Sequence, residues 1–273
     1  MLYSTSLSLL ALASTAHAAC SRGFLQEATT AYLQAQSAGK ISILSLASNV
    51  SYAENNTPID IQKGVISEAI TIDFNRSIYD TVQCATFTEL TATSSHPYVI
   101  HTRILYAEEK IRTIESVVTD TGDWAFNATG HLYWTKQETW DQIPEGKRDS
   151  RTVIQAAGDA YLDQWGAPSL PVPLGTPCAR LEGGFYTARE DSISLQANTC
   201  KMGAFPQPLK VGDRRYIIDE ELGAVDIFNG FPWLEQSKPA NYSTPSSNFF
   251  KVGDGLIRYI HEITVCATPR CGL

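Results

Sequence analysis

Apolar residues recur at spacings of three and four in Ala28-Thr-Thr-Ala31-Tyr32-Leu33 and again in Ala157-Gly-Asp-Ala160-Tyr161-Leu162, the period of an amphipathic helix. Two later segments share another pattern. Arg76-Ser-Ile-Tyr-Asp80 is followed by Cys84-Ala85, and Arg215-Tyr-Ile-Ile-Asp219 by Gly223-Ala224 at the same offsets, and both read as strand, turn, strand. Ile111-Arg-Thr-Ile-Glu115 and Ile257-Arg-Tyr-Ile-His261 are β-branched alternating segments that predict long strands. The three matches keep their order along the chain, which predicts an internal duplication. The halves, 19–145 and 146–273, each read as one α+β unit: a helix, an irregular segment and some four long strands in an antiparallel sheet. Between them, Trp140-Asp-Gln-Ile-Pro144-Glu-Gly146 forms a turn, and Asp149 or Ser150 is placed to cap the next helix.

Of 273 residues, 43% are hydrophobic and only 18% charged, so the chain has the apolar material for packed cores. A net charge of −8 without any Lys/Arg-rich run argues against nucleic acid and anionic membrane as partners. Residues 1–18 read as a signal peptide, with an apolar stretch near Leu7–Ala13 too short to span a bilayer and an Ala16-His17-Ala18 cleavage pattern. A secreted or secretory-lumen protein is expected. Six cysteines fit that compartment, as do five N-x-S/T sequons at Asn49, Asn55, Asn75, Asn127 and Asn241. Fifteen connectivities are open to six cysteines; short loop closure favours Cys178 with Cys200 and Cys266 with Cys271, leaving Cys20 with Cys84.

The stretches Tyr52-Ala-Glu54-Asn55, Trp124-Ala-Phe126-Asn127, Arg148-Asp149-Ser150-Arg151, Gly175-Thr176-Pro177-Cys178-Ala-Arg180-Leu-Glu182-Gly183 and Ile257-Arg258-Tyr259-Ile260-His261 together resemble a fungal family of secreted proteins known only as a domain of unknown function. Each half also resembles the nuclear transport factor 2-like (SnoaL-like) cone, a helix cradled by a strongly bent sheet. The resemblance implies two tandem cones. It extends to fungal cofactor-free hetero-Diels–Alderases, isomerases and cyclases, although no catalytic position transfers from them. The oligomeric state is open: a homodimer is one possibility, and a duplicated cone can also present to itself the seam that single cones form as dimers.

Familiar catalytic signatures are missing. His261-Glu262-Ile-Thr-Val265 has Val where a zincin needs its second His, and it reads as a strand; no nucleophile elbow, phosphate loop or dinucleotide fingerprint occurs. No cofactor or metal is expected. Alternation places His101 and Arg103 on one face of Tyr98–Tyr106, and His261 and Tyr259, with Ile257, on one face of the last strand. If these faces line a cone, an imidazole and a phenol can polarise a carbonyl or move a proton there, with Tyr52 a further candidate. The plainer reading of each is a buried polar group satisfied by its neighbours. Arg148 and Arg151 are expected to tie the halves together, and Trp124, Trp134 and Trp140 to fill the seam. The function expected is a cofactor-free cyclase or isomerase of a small apolar molecule. A non-catalytic carrier or host-interaction protein is the alternative, and a polysaccharide-active enzyme using Asp219 and Glu182 the weaker third reading.

Overall fold

Ser21 starts the first helix, α1 (Arg22–Ala38), by accepting a hydrogen bond from Phe24 N, and Gly39 ends it with φ at 61°. Ser150 does the same for α3 (Arg151–Asp163), accepting from Val153 N. A shorter helix, α2 (Ala128–Thr135), lies between them, capped by Asn127. These elements belong to a computed structural model that describes residues 20–203, 208–232, 234–235, 238–239 and 242–271. The expected leader and the Asn241 sequon lie outside the described residues.

The remaining chain forms two sheets. The first contains β1 (Leu46–Glu54), β2 (Thr57–Pro58), β3 (Phe74–Asp80), β4 (Ala85–Ala92), β5 (Tyr98–Ala107) and β6 (Lys110–Thr119), in the order β2-β1-β6-β5-β4-β3. The second contains β7 (Leu174–Glu182), β8 (Phe185–Tyr186), β9 (Gly212–Asp219), β10 (Ala224–Pro232), β11 (Ser243–Gly253) and β12 (Leu256–Thr264), in the order β8-β7-β12-β11-β10-β9. The two orders are the same, strand for strand. The class is α+β, but the sheets are mixed rather than antiparallel: β1 runs parallel to β6, and β7 to β12. The strand after each helix joins the far edge of a four-strand meander, and that long crossover delivers it in the direction of the meander's last strand.

Each sheet carries its helix on one face and meets the other sheet on the opposite face. Leu25 and Tyr32 of α1 pack with Ile104 and Ile114 of the first sheet, and Ile154 and Tyr161 of α3 with Phe250 and Ile260 of the second. Between the sheets, Ile78, Phe87, Val99 and Val117 meet Ile217, Phe228, Phe249 and Ile263. Double coverage explains why every residue of β4 is buried and why its sequence, ATFTELTA, shows no alternation.

A bulge re-aims the last strand of each half. Pairing shifts register between Leu105 and Tyr106 opposite β6, and between Lys251 and Val252 opposite β12, skipping Arg112 and Arg258. Ile257 therefore turns toward α3, whereas Ile263 beyond the bulge faces the other sheet. The simple alternation that put Ile257, Tyr259 and His261 on one face does not hold across that extra residue. Of the three tryptophans expected in the seam, Trp140 stacks on Phe249 at 4.5 Å and Trp134 of α2 on Tyr186 at 4.4 Å, whereas Trp124 packs against the core beneath α3. Three disulfides join Cys20 to Cys84, Cys178 to Cys200 and Cys266 to Cys271, which suits an oxidising compartment. Among the described residues, no helix is long and apolar enough to cross a membrane.

Candidate functional site

β4 carries Glu89 with no exposed surface, directly opposite Arg76 of β3 and His101 of β5. A buried carboxylate is costly unless partners replace its water. Glu89 Oε2 accepts from Arg76 Nη1 at 2.9 Å, and Oε1 accepts from His261 Nδ1 at 2.5 Å. His261 comes from β12 of the other sheet, and its Nε2 donates to Glu138 Oε2 at 2.6 Å. Glu138 belongs to the linker after α2 and also accepts from Trp140 Nε1 at 2.8 Å. His131 of α2 and His101 complete the cluster, their Nε2 atoms 3.4 and 3.6 Å from Glu89 Oε1. Both ring nitrogens are buried without a hydrogen-bond partner.

Electrostatics separates the three histidines. Burial alone would lower the His261 pKa, but the charges of Glu138 and Glu89 outweigh it and raise the value to about 9. His131 is pushed down to about 3 by burial, and His101 is lowered for the same reason with partial compensation from Glu89. Burial would raise the Glu89 carboxyl, yet His261, His101 and Arg76 hold it well below the usual range. At neutral pH the cluster thus holds one imidazolium and two neutral imidazoles. A group raised in the fold stabilises fully below its unfolded pKa and loses that contribution as pH climbs through the folded value. For His261 the window runs from 6.5 to about 9. The stability advantage of wild type over His261→Gln should shrink by on the order of 3 kcal/mol between about pH 6 and pH 10. Urea titrations of both proteins across that range check the sign, and a constant difference would contradict it. His131 has the opposite sign: its contribution is complete above 6.5 and disappears as pH falls toward 3.

The candidates from sequence do not share one place. His101 and His261 meet at Glu89, although between the sheets rather than inside a cone. Tyr259 is half-buried at the rim of the same cluster, 5.9 Å from Trp140. Arg103 faces the seam and pairs with Glu115, which also meets Arg215 Nε at 3.2 Å. Tyr52 is elsewhere, in the core under α1, with its hydroxyl bonded to Glu54. That face of the first sheet is separated from the histidines by the sheet itself. Asp219 is bound to Arg22 and Glu182 to Arg180 at 2.7 Å, so the carboxylates of the polysaccharide reading are engaged in ion pairs. Asn49, Asn75 and Asn127 are exposed, whereas the Asn55 side chain is bonded to the backbone of Val118.

Glu89, Glu138 and His131 were not singled out from sequence. A charged residue inside the unbroken β-prone run Ala85–Ala92 was the available signal for Glu89. Glu138 sits in a linker, where nothing local marks it.

Residues 147–264 match the model of a family described as a domain of unknown function (DUF8021). Among solved structures, the chain is similar to the crystal structure of an NTF2-like protein of unknown function from Shewanella baltica OS155. That match has 14% identity, covers 36% of this chain and 94% of that one, and has a TM-score of 0.28. No curated protein matches.

Proposed function

We propose that the protein binds a small, apolar, conjugated molecule at the aromatic rim of the seam and isomerises or cyclises it by proton transfer or carbonyl polarisation. The observation that carries this reading is an unbroken hydrogen-bonded run from buried Glu89 through His261 to Glu138. It ends beneath the partly exposed rings of Trp134, Trp140, Tyr186 and Tyr259. Tyr186 keeps its proton, its pKa raised by burial and by the Glu138 charge. A neutral phenol supplies a donor to an enone or quinone-methide oxygen, and the charged imidazole behind the Glu138 carboxylate tunes that carboxylate, so the chemistry of a hetero-Diels–Alder cyclisation belongs to the same reading. Flat rings give the substrate its stacking surfaces, and holding it in near-attack geometry supplies the rest. We take the chain as two cone-like units, 19–145 and 146–273, secreted after loss of residues 1–18, with sugars on the exposed sequon asparagines.

A panel of conjugated enones and quinone-methide precursors tests the reading. Wild type is expected to turn over at least one with product stereoselectivity. Glu138→Gln should lower kcat by roughly 100-fold while KM changes little. Unchanged kcat in Glu138→Gln overturns the role of the run, and no stereoselective product from any member overturns the enzyme reading. Full burial of all three histidines favours a second reading, a carrier that stores the molecule at the rim. Native mass spectrometry of the protein from its producing organism would then find a ligand that wild type and Glu138→Gln both retain and neither converts.

A further inference from the structure

We propose that Glu89, His101 and His131 form a binding site for one divalent transition-metal ion, with zinc the best geometric fit. Three donor atoms converge there, Glu89 Oε1, His101 Nε2 and His131 Nε2, all within 4.8 Å of one another and all on residues without exposed surface. The tautomer of His101 that frees Nε2 for a metal is the one in which Nδ1 carries the hydrogen. Ser247 Oγ lies 2.6 Å from Asp226 Oδ1 and 2.7 Å from His101 Nδ1; where its single hydrogen goes to Asp226, it accepts from His101 Nδ1–H. Neutral His101 then presents a bare Nε2 lone pair to the carboxylate oxygen at 3.6 Å, past hydrogen-bonding reach. His131 has the same option, with Nδ1 on Thr91 Oγ1 at 3.0 Å and Nε2 left without a partner.

Lone pairs aimed at one another across a dry gap repel unless a cation lies between them. The spacing agrees with one. Four-coordinate zinc at about 2.1 Å from its ligands separates them by about 3.4 Å, and an octahedral ion at the same bond length separates adjacent ligands by about 3.0 Å. The two separations from Glu89 Oε1, 3.4 and 3.6 Å, match the first, and the two imidazole nitrogens lie within 4.8 Å of each other. Supporting bonds are also in place: Ser247 behind His101, Thr91 beside His131, and Arg76 with His261 on Glu89, as metal ligands require to hold their orientation. Two imidazoles and a carboxylate leave a fourth position for water or a small ligand. Such an ion departs from the cofactor-free expectation, and its binding needs no turnover, so it stands or falls separately from the proposed activity.

The test uses the full secreted chain without an affinity tag, stripped with a chelator and titrated with Co²⁺ as the spectroscopic probe and with Zn²⁺ as its competitor. One equivalent of Co²⁺ should give the intense visible bands of a four-coordinate site, and Zn²⁺ should abolish them. His131→Ala and His101→Ala should each weaken binding at least about 100-fold, with exposed His96→Ala unchanged. Binding that survives both substitutions, or no saturable Co²⁺ bands in wild type, overturns the proposal. Should either variant fail to fold, wild-type crystals grown with Zn²⁺ decide the matter at the zinc edge. An anomalous peak between Glu89, His101 and His131 supports the site, and its absence overturns it. Glu138→Gln should lose turnover without losing the ion, which separates this outcome from failure of the proton-transfer reading.

Discussion

Replacing Glu89 by glutamine should cost about 3 to 5 kcal/mol of stability, because the substitution leaves a guanidinium and an imidazolium facing a neutral amide in a dry seam. Arg76 Nη1 and His261 Nδ1 both donate to this one carboxylate, at 2.9 and 2.5 Å. Glu138 remains for His261, but Arg76 keeps only Thr135 and the rings of Trp140 and Phe74, 4.3 and 5.0 Å from its guanidinium carbon. Breaking a buried pair on one side is far more damaging than never having built it. Adding Arg76→Met to Glu89→Gln should therefore recover part of the loss, a coupling that a double-mutant cycle reads directly. Thermal midpoints at neutral pH should fall by roughly 10 °C for Glu89→Gln and by less for the double variant. A loss under about 1 kcal/mol for Glu89→Gln would mean that water already shares the cluster and that burial does not set its energetics.

That cluster marks the limit of what the sequence disclosed. The duplication was legible because it is written in local periods: the helix pair around Tyr32 and Tyr161, the strand-turn-strand pair ending in Asp80 and Asp219, and the long strands beginning near Ile111 and Ile257. Even the positive φ at the turn repeats, at 52° for Cys84 and 59° for Gly223. β1 and β7, each next to a two-residue edge strand, were not legible as strands. β1 is mostly half-exposed, with only Tyr52 buried, so it lacks a clean alternation, and its parallel pairing depends on residues far along the chain. The bulges at Arg112 and Arg258 were hidden for a similar reason: an extra residue shows itself only in register against a partner strand. His101 and His261 were singled out on separate strands of the two halves, each on a face expected to line a cone, and the structure brings them together at Glu89 between the sheets. Which face of a strand meets its helix and which meets a second sheet is a tertiary fact.

The same tertiary level decides how firmly the halves are joined, and two aspartates give that question a measurable form. Arg22, the first residue of α1, grips Asp219 of β9 through two bonds of 2.9 Å. Arg151, the first residue of α3, grips Asp80 of β3 through bonds of 2.8 and 2.6 Å. Each aspartate also accepts a backbone N–H from the opposite half, Asp219 from Tyr79 and Asp80 from Ile218, both at 3.0 Å. Each then caps its own turn, Asp219 for Glu221 and Leu222 and Asp80 for Val82 and Gln83. Residue i of one half touches j of the other and j touches i, the contact rule of a two-fold interface, realised here inside one chain. Asp219→Ala and Asp80→Ala should each cost about 3 kcal/mol and agree within about 1 kcal/mol, since each removes a bidentate pair and strands several N–H donors. Arg22→Met and Arg151→Met should cost less, because both arginines reach solvent and the aspartates keep their backbone donors. Wild type should unfold in one transition. Removing both aspartates should broaden or split it into two, because the seam alone couples cores that are otherwise complete under α1 and α3. Calorimetry reads that outcome. Strongly unequal single costs would refute the two-fold reading, and an unsplit transition in the double variant would assign the coupling to the Glu89 cluster and its aromatic neighbours instead.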